Sequence, residues 1–188
     1  MLDPKQFKNT EEQQENEMLI SKEYYDIVYS RVPERSKDTF NKDLIECLKY
    51  LAIMSLTKGR RIVVTPEVDD VWHELIVQTK NYENLCKALP GERFIHHTSI
   101  TPSEYEGVVG SKEFVDEFLK WIPDYIQNFG KFTEENIKRW TVAQFLINNI
   151  KIPIDELNNL GDKSQAEVKF DSDWVKYFNN EIKKISKY

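Results

Sequence analysis

The sequence predicts an all-α protein: a compact single-domain helical bundle with at most short extended segments near 61–65 and 93–97. Three observations carry this reading. Apolar residues recur at spacings of three and four along most of the 188 residues, the period of a helix with one buried side. Glycine and proline are sparse, at six and seven, and fall mainly between the periodic runs. The chain lacks clustered, alternating Val and Thr, the mark of half-buried strands.

Each element follows in order. Residues 1–11 are polar and read as a flexible N-terminal arm, which leaves 12–188 as one helical domain. From Glu12 to Val32, Met18, Leu19, Ile20, Tyr24, Tyr25, Ile27 and Val28 line one side of a helix that Pro33 stops. Asp38 or Thr39 caps a second helix carrying Phe40, Leu44, Ile45, Leu48, Leu51, Ala52 and Met54, with Gly59 at its end. That stretch is the most apolar of the chain and belongs in the core. Thr65-Pro66 opens a third helix, with Glu67, Asp69 and Asp70 at its positive end, running to about Leu89 before Pro90-Gly91. If straight, it puts Val68, Trp72, Leu75, Thr79, Tyr82 and Cys86 on one core face.

Thr101-Pro102 begins a short helical turn. Ser111 caps a helix with Phe114, Val115, Phe118, Leu119 and Ile122, kinked or broken by Pro123. Thr133 caps the next, with Ile137, Trp140, Phe145 and Ile147. Residues 151–170 read as irregular. Asp171 or Ser172 caps a last helix with Trp174, Phe178, Ile182 and Ile185, and with Lys183, Lys184 and Lys187 at its negative end.

Charge and composition exclude several functions. The formal net charge of -6 argues against binding nucleic acid or an anionic membrane surface. The longest apolar run, Tyr50 to Met54, is far too short to span a bilayer. The polar N-terminal residues do not resemble a secretion signal. Two cysteines, Cys47 and Cys86, do not make a disulfide framework, and a reducing cytoplasm is expected. Phosphate-cradling GxxxxGK[ST] and GxGxxG motifs are absent.

The residues that suggest chemistry cluster once. All three histidines, His73, His96 and His97, lie within 25 residues. Asp69 precedes His73 by four positions, on the same helix flank, where it can fix the imidazole tautomer and leave the other nitrogen for a metal. After Pro90-Gly91 the chain can reverse, and six extended residues recover roughly 20 Å, enough to return to His73. Extended neighbours point opposite ways, so only one of His96 and His97 joins His73 directly. Cys86 lies 13 residues beyond His73, roughly 20 Å along a straight helix. It therefore reads as core, together with Trp72 and Tyr82. The tentative metal set is His73, His96, His97 and Asp69, with Glu74 a further carboxylate, and it suits zinc or iron. His73-Glu74 does not extend to HExxH, because position 77 is Val77. The bland alternative is a satisfied structural histidine cluster.

Val64-Thr65-Pro66, the run Val68-Asp69-Asp70-Val71-Trp72-His73-Glu74-Leu75-Ile76, then Thr79, Tyr82, Cys86 and Phe94-Ile95-His96-His97 form an ordered set. This set resembles bacterial proteins related to the glycine-rich domain-containing family, over about residues 40–100. The resemblance implies that Asp69, Trp72, His73, Tyr82, Cys86, His96 and His97 belong together, and it implies no general activity. Some relatives carry a second histidine where this chain has Leu75, and the glycine-rich region itself is absent. The expected role is a cytoplasmic binding or accessory protein whose histidine cluster can hold a divalent metal. The alternative is a metal-dependent enzyme using His73 with His96 or His97, with Asp69 as orienting carboxylate. A further alternative is a protein–protein interaction module that docks through the first or last helix.

Overall fold

The computed structural model describes residues 18–32, 34–57, 62–97 and 111–188, with side chains in the last stretch from Leu119 onward. Those residues form a compact helical fold. Its elements are α1 (Lys22–Arg31), α2 (Lys37–Leu56), α3 (Pro66–Val77), α4 (Thr79–Ala88), α5 (Ser111–Phe129), a 3-10 turn (Asn136–Arg139), α6 (Thr141–Asn148), α7 (Ile154–Lys163) and α8 (Ser172–Ile185). Among the described residues, β-structure is limited to one antiparallel bridge, Val64 to Trp140. None of the described helices is long and apolar enough to cross a membrane. Pro33, Gly59 and the turn expected at Thr101-Pro102 lie outside the described residues.

α1 is shorter than its apolar run. Ser21 caps it by accepting the Tyr24 amide at 3.1 Å, so Leu19 and Ile20 precede the helix. They are buried nonetheless. The Leu19 amide donates to the Glu181 carboxylate of α8, and the Tyr188 hydroxyl donates to the Ile20 carbonyl. Tyr24, Tyr25 and Val28 of α1, and Phe178 and Ile185 of α8, are buried within the chain itself. The apolar sides of both helices therefore already have cover.

α2 organises the core. Ser36 caps it, in place of Asp38 or Thr39, accepting the Thr39 amide at 3.1 Å. Phe40, Leu44, Cys47, Leu48, Leu51, Ala52 and Ile53 are all buried, and so are Asp43 and Glu46. A helix covered nearly all round must satisfy its own acids. Asp43 receives Arg139 Nε at 2.8 Å on one oxygen and Arg35 at 3.0 Å on the other. Glu46 receives Trp140 Nε1 at 2.8 Å, the Tyr125 hydroxyl at 2.9 Å and Lys49 Nζ at 2.7 Å. The indoles of Trp140 and Trp121 stack with centroids 4.6 Å apart. Both thiols are buried, and burial pushes each above its ordinary range. In native buffer they should react with a water-soluble disulfide reagent on the order of 100-fold more slowly than in denaturant. Fast labelling at one equivalent would show that one of them is open.

Two expectations for the second half are corrected, and of the kink or break expected at Pro123 the break does not occur. α5 continues through Pro123 to Phe129. Its C-terminal half is held by a strap, residues 164–170, that lies against its polar edge. Asp124 accepts the amides of Glu167 and Val168. Asn128 donates to the Val168 carbonyl and accepts the Phe170 amide, and Gln127 donates to the Ser164 carbonyl. These external bonds stabilise a helix that lacks one of its own at proline. The run from Thr133 is split: Thr133 and Asn136 cap each other across the start of the 3-10 turn, and α6 begins only at Thr141. The stretch 151–170 contains a full helix, α7, which buries Leu157, Asn158 and Gly161. Asn158 pairs with both the amide and the carbonyl of Phe132. A Cβ at Gly161 would stand 2.1 Å from Ile126 Cδ1, so glycine permits the close approach of α7 to α5. Asp171 caps α8 through the Asp173 amide at 2.8 Å.

Candidate metal centre

α3 begins where Thr65-Pro66 predicts. The Thr65 carbonyl accepts the amides of Val68 and Asp69, while its side chain makes no capping bond. Val68, Val71, Trp72 and Leu75 are buried, which turns Asp69 and His73 onto the flank, one turn apart. The Tyr24 hydroxyl anchors the far end by donating to the Leu75 carbonyl at 2.7 Å.

The long straight helix is not formed. The chain breaks at Gln78 (φ -85°, ψ 63°) and restarts as α4. The buried side nonetheless continues across the break: Val68, Trp72, Leu75, Tyr82 and Cys86 are buried as expected. Thr79 is exposed, and Tyr82, Leu85 and Cys86 are buried. The break removes the straight-helix premise that kept Cys86 away from His73. Cys86 still stands apart, buried in the core with Tyr82 and the Ile95 backbone as its neighbours.

Beyond α4 the chain is pinned at successive points. The Gly91 amide donates to Ser55 Oγ at 3.1 Å. Arg93 caps the end of α2, donating to the Ser55 carbonyl at 2.6 Å and also to the carbonyls of Met54 and Thr57. Trp72 Nε1 donates to the Tyr82 hydroxyl at 3.0 Å, which in turn donates to the Ile95 carbonyl at 2.8 Å. Residues 94–97 then alternate: Phe94 and His96 are exposed, Ile95 is buried and His97 half-buried. His97 therefore joins His73, with ring centroids 4.2 Å apart, and packs on Trp72 at 4.3 Å. His96 instead lies beside Phe94.

Asp69 stands between the two imidazoles. His97 Nε2 lies 3.1 Å from one carboxylate oxygen and His73 Nδ1 lies 3.2 Å from the other. His73 Nδ1 is closer still, at 2.8 Å, to the main-chain carbonyl of Asp69. That carbonyl accepts only a proton, so it sets the tautomer with hydrogen on Nδ1 and a lone pair on Nε2. One ligating atom from each of Asp69, His73 and His97 lies within 4.8 Å of the other two. The Asp69 and His73 side chains are 39% and 49% exposed and His97 only 16%, so the group opens to solvent on the α3 side and rests on Trp72 behind.

The Asp69–His73 pairing was readable from its spacing, and the alternation selects one histidine of the pair. The roles of Arg93 and Ser55 were not readable, because each meets partners 36 to 39 residues away.

No curated protein and no solved structure matches the chain. A family model described as UCP032817-like matches residues 14–106. Over that stretch, which holds Asp69, His73 and His97 together, the chain is similar to the UCP032817-like family.

Proposed function

We propose that this is a divalent-metal-binding accessory protein whose ion is held by Asp69, His73 and His97. The observation that carries the reading is the convergence of two imidazoles and a carboxylate from separate parts of the chain. Two histidines and one carboxylate with open positions suit zinc or non-haem iron. His97 Nε2 lies 3.1 Å from Asp69 Oδ1; a metal bound at Nε2 leaves the proton of the neutral imidazole on Nδ1. His96 is outside the ligand set. The resemblance of residues 40–100 to bacterial relatives of the glycine-rich domain-containing proteins supports treating the two histidine segments as one unit.

Untagged protein kept from chelators and nickel columns should carry about one ion per chain by elemental mass spectrometry. Cobalt titration should give a visible spectrum whose intensity reports the coordination number. His73→Ala, His97→Asn and Asp69→Asn should each weaken binding at least about tenfold, and His96→Ala should leave it unchanged. An unchanged affinity in the three ligand variants would end the proposal.

The exposure of the ligands favours a second reading, a metal-dependent enzyme. An ion held by three side chains keeps positions for water, whose pKa it lowers, or for a ligand it polarises. In that reading Asp69 orients His73 through its main chain as well as its carboxylate.

A further inference from the structure

We infer that the ion is also a clasp, and that its occupancy regulates how firmly the hairpin from Thr79 to His97 stays docked on α3. The inference rests on the metal reading above. Two ligands, Asp69 and His73, lie on one turn of α3, a helix fixed by the buried Val68, Val71 and Leu75. The third, His97, comes from the far end of an excursion that leaves α3 at Gln78. An ion bonded to all three therefore joins the two ends of a 25-residue loop, from 73 to 97.

The near end of that loop has the features of a hinge. Gln78 has neither α nor extended geometry, and it makes no side-chain capping bond to α4. α4 buries Tyr82, Leu85 and Cys86 and leaves Thr79, Lys80, Glu83 and Lys87 exposed. The return segment is held at Gly91, Arg93 and Ile95 by bonds already in place. Past Ile95, the docking of the segment runs through His97, against Trp72, His73 and Asp69. Without the ion, His97 is held by a proton-mediated bond to a carboxylate that is itself partly solvated. With it, the same atoms are held by metal–ligand bonds. A cross-link at the mouth of a loop suppresses openings of that loop before it affects the rest of the fold.

Hydrogen exchange read by mass spectrometry, at times short of global unfolding, tests this with zinc as the probe. Saturating zinc should slow exchange in peptides covering 79–97 at least about tenfold. Peptides of α7, which packs on α5 through Gly161 and Ile126, should change less than about twofold. His97→Asn keeps a donor toward Asp69, and hence the fold, but removes the bridge; circular dichroism checks that it is folded. It should lose the protection of 79–97 at any zinc concentration. If elemental analysis finds zinc on the wild type but exchange in 79–97 is unaltered, the clasp is wrong and the metal site stands. The same holds if folded His97→Asn is protected like the wild type. If the wild type binds no zinc, the metal reading fails and the clasp falls with it.

Discussion

Asp43→Ala should lower the free energy of unfolding by about 3 kcal/mol, within the roughly 3–5 kcal/mol typical of breaking a buried ion pair. Asp43 lies in α2 with its two oxygens divided between Arg35 and Arg139. All three side chains are less than a tenth exposed. Burial pushes the Asp43 carboxyl above its usual range, against the pull of both guanidiniums. The ionised acid is thus costly to bury, and its removal is costlier, because two buried cations lose their shared counter-charge. The estimate sits at the low end of the range because each arginine has a second, more exposed carboxylate within reach. Arg35 contacts Asp70 at 2.9 Å and Arg139 contacts Glu135 at 3.1 Å. Urea unfolding of the wild type, Asp43→Ala and Asp43→Asn measures the effect, with Asn expected to lose less because its carbonyl still accepts one bond. A loss below about 1 kcal/mol in Asp43→Ala would mean that water reaches the guanidiniums and that the network contributes little.

Gly91→Ala should damage both stability and the metal site, although Gly91 touches neither imidazole. A Cβ at this position would stand 2.0 Å from the Ser55 carbonyl oxygen and 2.5 Å from its carbon. Those atoms are backbone at the end of α2, behind which Leu51, Ala52 and Ile53 are fully buried, so the turn must yield. Displacing it strains the Gly91–Ser55 bond and the three-carbonyl grip of Arg93. The expected cost is about 1–3 kcal/mol, that of overpacking a well-filled site. The displacement carries along the chain to His97, six residues on. Metal donors tolerate errors of only about 0.5 Å, so zinc affinity should fall at least about tenfold. Thermal melting and zinc titration on the same sample measure the two effects. Unchanged zinc affinity would show that the Tyr82–Ile95 bond alone positions the histidines.

The sequence speaks where local spacing governs and is silent where distant partners do. The apolar runs of α1, α3 and α8 were legible because each helix buries one side, and that of α2 because it is the most apolar stretch of the chain. α7 was not. Asn158, Asn159 and Gly161 weaken its intrinsic helix propensity, and two of them are there for neighbours: Asn158 for the Phe132 backbone, Gly161 for Ile126. Pro123 read as a kink or break because the strap that supports α5 lies about 40 residues further on. The break at Gln78 has no glycine or proline to announce it. At the candidate site, period four paired Asp69 with His73 and period two separated His97 from His96. The burial of Asp43 and Glu46 in α2 was not legible, since Arg139, Tyr125 and Trp140 come from the other end of the chain.

That separation bears on how the protein is made. Asp43 waits for Arg139, 96 residues later, and Glu46 for Tyr125 and Trp140, 79 and 94 residues later. While the chain emerges from a ribosome, the two carboxylates of α2 have only Arg35 and Lys49 as partners, on what will become its most enclosed surface. Burying them early would cost more than the apolar contacts then available return. The acids thus act as a brake on premature collapse, released only when the last third of the chain arrives.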